Sequence, residues 1–129
     1  MVGIYTWLDN ALRAEYEQVE LLKESSRGSV RLIRHRATGR RLILRNYVGN
    51  AEVYQKLLGY ACPNLPRTLE VARRGTGEGA ENLVLEEYIE GDTLDFLLRE
   101  ALFTPEETRK IARQLCRALW VLHSLGAVH

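Results

Sequence analysis

The sequence has few cysteines, few prolines and no long hydrophobic run. Two of its 129 residues are cysteine and three are proline. Cys62 and Cys116 lie far apart without the spacing of metal ligands, which favours reduced thiols over a zinc site or a disulfide framework. No stretch approaches the ~20 apolar residues of a membrane span, and the N-terminus lacks the basic start and apolar run of a signal peptide. We therefore expect a cytoplasmic location and no membrane contact in this region.

Charge of either sign is not in excess. Eighteen Lys and Arg stand against 17 Asp and Glu, which gives a formal net charge of +1. No overall field attracts the chain to nucleic acid, so no nucleic-acid partner is expected. Hydrophobic residues make up 46% and charged residues 27%. These values are typical of a globular domain rather than of a disordered segment.

Local hydrophobic patterns divide the chain into five strands and four helices. Apolar residues recur at helical spacing in some segments and alternate in others, with Gly and Pro between them. The pattern predicts an α+β fold in which a five-stranded antiparallel sheet with one packed helix precedes a short helix and a long helix. Helices are expected within residues 1–15 and at 51–60, 93–100 and 105–125. Strands are expected between residues 16 and 35, where there are two, and at 41–48, 68–73 and 82–89.

The long helix has a strong start signal at Thr104-Pro-Glu-Glu107. It offers a capping Thr, a Pro in the first turn and a Glu three residues after the cap. The apolar residues of this helix cover more than the single stripe of a surface helix. Exposed apolar faces of this size usually bind a partner, and we expect a homodimer held through residues 105–125. The residues expected at that contact are Ile111, Leu115, Leu119 and Leu122.

Three local segments make the order of elements specific. They are CPNLP at residues 62–66, LVLEEYIEGDTL at 83–94 and TPEETRKIARQLCRALWVLHSLGAVH at 104–129. In this order they resemble the N-terminal lobe of a bacterial serine/threonine protein kinase. The resemblance implies an N-lobe at residues 16–89, after a leader helix at 1–15. It also implies a hinge exit and the first two helices of an incomplete C-lobe at 90–129.

The resemblance implies a phosphotransferase. Kinases of this family transfer the γ-phosphoryl group of ATP, bound with Mg, to serine or threonine hydroxyls of a protein substrate. His129 corresponds to the histidine that precedes the catalytic Arg-Asp in that family. The base Asp and the metal-binding Asn and Asp follow that point in related kinases, so we expect no catalytic or metal-binding residue here. The 129 residues by themselves are expected to be inactive.

The family's glycine-rich loop falls on residues 23–30. Only its last glycine, Gly28, and its valine, Val30, are retained, and Lys23 and Ser25 replace the other two glycines. Glycine lets backbone amides approach phosphates closely, so this loop is expected to hold them less closely. A plain β-turn with a solvated basic residue is the alternative interpretation.

The third strand supplies the residues expected above the nucleotide. Arg45 occupies the position of the lysine that grips the α- and β-phosphates, although its planar fork differs from an ammonium group in reach and geometry. Ile43 replaces a small residue that would roof the adenine, because residues two apart on a strand face the same way. The alternative for Arg45 is an exposed strand charge.

Carboxylates and the hinge complete the implied site. The helix glutamate that would pair with Arg45 is assigned to Glu52, although an ungapped count places Val53 there. Glu86 falls at the back of the adenine pocket, where a carboxylate is costly unless paired. Arg45 is a conceivable partner, and that pairing would compete with phosphate binding. The hinge main chain, Glu87, Tyr88 and Ile89, would hydrogen-bond adenine.

These departures leave two functions open. One is an active parent kinase with an altered nucleotide site. The other is a pseudokinase, a regulatory or protein-binding module that keeps the fold and has relaxed the site. Lys23, Ser25, Ile43, Arg45 and Glu86 favour the second, whereas the retained positive charge of Arg45 favours the first. A fold alone does not decide activity.

Overall fold

The computed structural model describes residues 3–127, in which a five-stranded antiparallel sheet has helices on both faces. The strand order is β1-β2-β3-β5-β4. This confirms the predicted α+β class. The helices are α1 (Ile4–Glu15), α2 (Glu52–Leu57), α3 (Leu94–Glu100) and α4 (Pro105–Ser124). The strands are β1 (Tyr16–Ser25), β2 (Gly28–His35), β3 (Arg41–Val48), β4 (Thr68–Arg74) and β5 (Glu81–Glu87).

The first strand is irregular. In the β1–β2 ladder Gln18 lies opposite Ile33 while Glu20 lies opposite Leu32, so one extra β1 residue is inserted, and a second insertion follows before Lys23. Such bulges re-aim the side chains that follow them and increase the local twist. The simple alternation expected of this strand is therefore interrupted twice.

The leader helix belongs to the main hydrophobic core. Tyr5, Leu8 and Leu12 of α1 are buried against the face of the sheet that carries Leu83 and Leu85. The guanidinium of Arg74 lies 4.3 Å from the centre of the Tyr5 ring, a cation–π contact between β4 and the start of the helix. Burial of apolar side chains is the main stabilising contribution in such a small domain. The sheet residues in this core are Ile33, Leu42, Ala72, Leu83 and Leu85.

Two predicted element boundaries were wrong. The helix expected at 51–60 ends at Leu57, because the Leu58 backbone leaves the helical conformation (φ −59°, ψ 119°) and pairs with Thr68 in an isolated bridge. Gly59 then takes a positive φ of 76°, which stops the helix before either proline is reached. The fifth strand ends at Glu87, so the last two residues of its expected range lie outside the sheet.

The long helix begins as predicted. Thr104 Oγ1 accepts from the Glu107 backbone N–H at 3.1 Å, and Glu107 Oε1 accepts from the Thr104 N–H at 3.1 Å. These bonds hold the pKa of the Glu107 carboxyl below its usual range. This capping box satisfies two backbone donors that a helix start otherwise leaves unpaired.

Little of the chain covers the long helix. Val121 is its one buried residue within residues 3–127, and α4 packs only sparsely against the sheet. Leu115 and Trp120 are exposed by 51% and 71%. Among the described residues no helix has the length and apolar character needed to cross a membrane. His129 lies outside the described residues.

Candidate functional site

The main cavity lies between α2 and the face of the sheet that carries Arg45 and Glu86. Its volume is about 560 Å³, and the β1–β2 turn and Leu122 near the end of α4 also border it. Three basic residues and one carboxylate line it, together with hydroxyl groups and apolar side chains. The charged residues are Lys23, Arg27, Arg45 and Glu86.

The structure brings four of the predicted site residues to this cavity. Gly28 and Val30 line it from the turn and β2, and Arg45 and Glu86 line it from β3 and β5. They share one face because Val30 lies opposite Arg45 across β2 and β3, and because Ile43, two residues before Arg45, lies opposite Glu86. The resemblance-based alignment of β2, β3 and β5 therefore places these four residues together.

The other predicted site residues do not line this cavity. Ile43 is half-buried in the sheet, and the hinge residues Glu87, Tyr88 and Ile89 lie away from it. Glu87 and Ile89 border a separate cavity of about 360 Å³ beside Arg67. Glu87 follows Glu86 on β5, so its side chain points to the opposite face of the sheet, and Tyr88 and Ile89 come after the strand has ended. Their expected contact with adenine stays a prediction.

Arg45 and Glu86 form an ion pair. Arg45 Nε donates to Glu86 Oε1, and the Glu86 side chain is 9% exposed whereas that of Arg45 is 36% exposed. Burial acts to lower the pKa of Arg45, but Glu86 and the nearby Tyr54 raise it above its ordinary value. Arg45 therefore keeps its positive charge. Glu86 pairs with Arg45, the partner that the sequence suggested for it.

The helix glutamate does not take part in this pair. Glu52 Oε1 instead lies 3.1 Å from Lys56 Nζ on the exposed side of α2. Val53 lines the cavity, as the ungapped count indicates. One residue turns an α-helix by about 100°, so Glu52 and Val53 cannot both face the sheet. The expected pairing of Glu52 with Arg45 was therefore wrong, and the alternative of a solvated helix carboxylate is the one observed.

Two tyrosines form a wall that the sequence analysis missed. The Tyr47 and Tyr54 rings have centroids 6.0 Å apart, and the Tyr47 hydroxyl donates to the Asn50 carbonyl at 2.9 Å. Burial raises the pKa of Tyr47 to about 12 and also raises that of Tyr54, so both are neutral at physiological pH. Tyr47 could have been found, because it lies two residues after Arg45 on the same strand face.

The β1–β2 turn is attached to β3. The Val48 N–H donates to the Arg27 carbonyl at 2.9 Å, and Arg27 Nη2 donates to the Val48 carbonyl at 3.3 Å. A Cβ at Gly28 would lie 2.1 Å from the Asn46 carbonyl oxygen. The retained glycine is therefore required by the close approach of two strands, whatever the turn binds.

The cavity suits an anionic ligand better than a metal ion. Lys23 has no partner among the described residues, and three basic side chains face one carboxylate. Within residues 3–127 no group of three or more His, Cys, Asp or Glu residues could hold a metal ion. The basic side chains that line the cavity are instead suited to phosphate.

Comparison with known proteins rests on solved structures. No protein-family model matches the sequence, and no curated protein matches it. The crystal structure of Rad53 1–466 in complex with AMP-PNP matches with a TM-score of 0.69 at 19% identity. The match covers 100% of this chain and 33% of that chain. The fold is protein-kinase-like.

The shared part is the kinase-like N-lobe with the helices that follow it. The chain spans about a third of the length of the Rad53 chain that it matches, and at this identity the likeness establishes the fold alone. The sheet order and the packed helix α2 therefore agree with the expected N-lobe. Bacterial origin and specificity for serine or threonine stay predictions.

Proposed function

We propose that this chain is the nucleotide-facing part of a serine/threonine protein kinase. The complete enzyme would transfer the γ-phosphoryl group of Mg-bound ATP to a hydroxyl of a protein substrate. The observation that carries the proposal is the Arg45–Glu86 pair, which presents a fixed cation to the cavity beneath a kinase-like sheet. Rad53, whose structure has a similar fold, was crystallised in complex with AMP-PNP, which supports a nucleotide as the ligand class.

The lining residues fit the phosphates of a nucleotide. Lys23 and Arg45 would hold them by charge, and Arg27 would add positive potential from the turn. ATP would supply the phosphoryl group for transfer. The chain's own residues would bind and orient the triphosphate, which is most of what a protein contributes to phosphoryl transfer. Mg would be held mainly by the phosphates and by residues outside this set.

Glu86 would do the work that a helix glutamate does in other kinases. In those kinases a glutamate of the packed helix forms an ion pair with a lysine of the third strand. Here the helix presents Val53 to the cavity, and Glu86 on the neighbouring strand holds the basic residue instead. The carboxylate that holds the basic residue would thus lie on the sheet instead of on the helix. This would account for the departure of both Arg45 and Glu86 from the residue types of the family.

Binding rather than catalysis is proposed for these 129 residues alone. They contain neither an Asp-Phe-Gly nor a His-Arg-Asp sequence. A kinase needs the carboxylates of those motifs to orient the acceptor hydroxyl and to hold magnesium. The nucleotide-facing part can still be assayed separately, by ligand binding.

A second candidate function is a pseudokinase-type regulatory module that binds a protein. The same ion pair favours it, because a carboxylate on Arg45 competes with phosphate for that cation. Lys23 and Ser25 in place of glycine point the same way. The two candidates differ in whether Glu86 assists or opposes nucleotide binding.

Titration of the chain with ATP, followed by backbone amide NMR, tests the proposal. We expect shifts at residues 23–30 and around Arg45, and an affinity about ten- to hundredfold weaker in Arg45→Ala, since a charge-assisted hydrogen bond contributes about 1.5–3 kcal/mol. Arg13→Ala is the matched control, because Arg13 is exposed on α1 and bonds to Asp9. Absence of shifts at millimolar ATP, in a chain whose spectrum is otherwise folded, would overturn the proposal and leave the protein-binding module.

A further inference from the structure

The two cysteines of the chain line one cavity. Cys62 lies in the loop between α2 and β4, and Cys116 lies on α4. Both border a cavity of about 420 Å³ that Trp120 and Val121 also line. Both are free thiols; Cys116 is exposed and Cys62 is half-buried. The fold thus places on the walls of one cavity two thiols that lie far apart in the sequence.

We propose that Cys62 and Cys116 are a modification site, at which a low-molecular-weight disulfide such as glutathione disulfide converts them to an intramolecular disulfide. The proposal is independent of nucleotide binding. It also departs from the expectation of reduced thiols without a disulfide, which was based on their separation in the sequence.

The surroundings of the two thiols permit the approach that a disulfide requires. The Cα atoms of a disulfide lie about 4.4–6.8 Å apart, so the walls of the cavity must close on each other. Cys116 is carried by a helix that packs only sparsely against the sheet, and Cys62 is carried by an irregular loop. Lys56 Nζ donates to the Leu125 carbonyl at 3.0 Å, which already ties the end of α4 to the helix before that loop.

The order of the two reaction steps follows from exposure. The Cys116 thiolate attacks one sulfur of glutathione disulfide, forms a mixed disulfide and releases one glutathione thiolate. The Cys62 thiolate then attacks the Cys116 sulfur and releases the second glutathione thiolate. Two protein thiols are oxidised, one glutathione disulfide is reduced to two thiols, and the two protons lost by the cysteines are taken up by the released glutathione.

The new bond would restrain α4. It would link the helix to the loop before β4, and residues from both also border the main cavity, Leu122 from the helix and Leu65 and Pro66 from the loop. In the reduced protein the described contacts between these segments are non-covalent. The disulfide would therefore fix the position of α4 relative to the sheet.

Peptide mapping after incubation with glutathione disulfide tests the proposal. Cleavage by trypsin places Cys62 in the peptide 57–67 and Cys116 in the peptide 114–117. We expect these two peptides to be joined, with both thiols lost and with a yield that does not depend on protein concentration. Reduction with dithiothreitol should restore both thiols.

Two single variants separate the steps. In Cys62→Ser the mixed disulfide on Cys116 should accumulate, because no second thiol resolves it. In Cys116→Ser the half-buried Cys62 should react more slowly with glutathione disulfide than Cys116 does in the other variant. Circular dichroism of both variants checks that they fold. Disulfide-linked dimers in place of the joined peptides, or stable glutathione adducts on both cysteines of the unmodified sequence, would overturn the proposal.

Discussion

Arg45 and Glu86, 41 residues apart in the sequence, form an ion pair across β3 and β5 on the wall of the main cavity. Glu86 is buried, and a buried carboxylate without a partner is strongly unfavourable. The register places the two residues diagonally on the same face of the sheet. The pair therefore satisfies a structural requirement and at the same time holds a cation at the site where phosphate binding is proposed.

Removal of the basic partner should destabilise the fold. Arg45→Ala leaves Glu86 buried and unpaired, and we expect the free energy of unfolding to fall by about 2 kcal/mol. This is less than the 3–5 kcal/mol typical of a fully buried pair, because Arg45 is partly exposed. Urea unfolding followed by circular dichroism measures the change.

A double variant isolates the pair itself. If Arg45→Met and Glu86→Met together destabilise the chain less than the sum of the two single variants, the residues interact as the structure shows. Strictly additive changes would contradict the pairing.

The leader helix should contribute to global stability. Leu12→Ala removes a side chain that is buried between α1 and the sheet, and we expect a loss of about 2–4 kcal/mol. Trp7→Ala on the same helix is the control, because the Trp7 side chain is 65% exposed and should change stability little. Thermal unfolding of both variants makes the comparison. An unchanged transition in Leu12→Ala would show that α1 is not part of the core.

Gly28 should be required for folding rather than for ligand binding alone. A methyl group there would meet the backbone of Asn46 and Tyr47, and overpacking of this kind costs about 1–3 kcal/mol. Gly79→Ala is the control, since a Cβ at that residue meets no atom within 4 Å. Both variants are compared by urea unfolding without nucleotide. Equal stabilities would contradict the steric reason given for the retained glycine.

The exposed face of α4 remains the proposed homodimer contact. We expect Leu115→Lys to abolish dimers, because it places a charge on an apolar face that is half uncovered in the single chain. Leu102→Lys is the control, since Leu102 is 99% exposed and lies outside the helix. Sedimentation of the two variants at micromolar concentration distinguishes them. A monomer in the unmodified sequence would contradict the dimer.

Much of the fold could be predicted from the sequence because local chemistry determines it. The Thr104 capping signal, the alternation in β3 and the glycines between strands each act over a few residues. The end of α2 could not be predicted in the same way. It depends on Leu58 pairing with Thr68, a tertiary contact that overrides a helical pattern.

The site was predictable to a different degree at each residue. Gly28, Val30, Arg45 and Glu86 were assigned from the resemblance to the kinase family, and the strand register brings them to one face. The assignment of Glu52 as the partner of Arg45 was wrong, because a shift of one residue turns an α-helix by about 100° and so changes which side chain faces the sheet. The shared cavity of the two cysteines depends on how α4 lies against a loop, and neither spacing nor periodicity contains that information.

The central claim is that Glu86 holds Arg45 in position for phosphate, and the ATP affinity of Glu86→Gln tests it most directly. Glutamine keeps the size and an acceptor oxygen but removes the charge that fixes Arg45. Fluorescence or calorimetric titration with ATP measures the affinity of the folded variant and of the unmodified chain at the same salt concentration. If Glu86 holds Arg45 for phosphate, ATP binding in the variant should be about ten- to hundredfold weaker, because one charge-assisted contact is lost. Tighter ATP binding in the variant would contradict the claim and show that Glu86 blocks the cation instead.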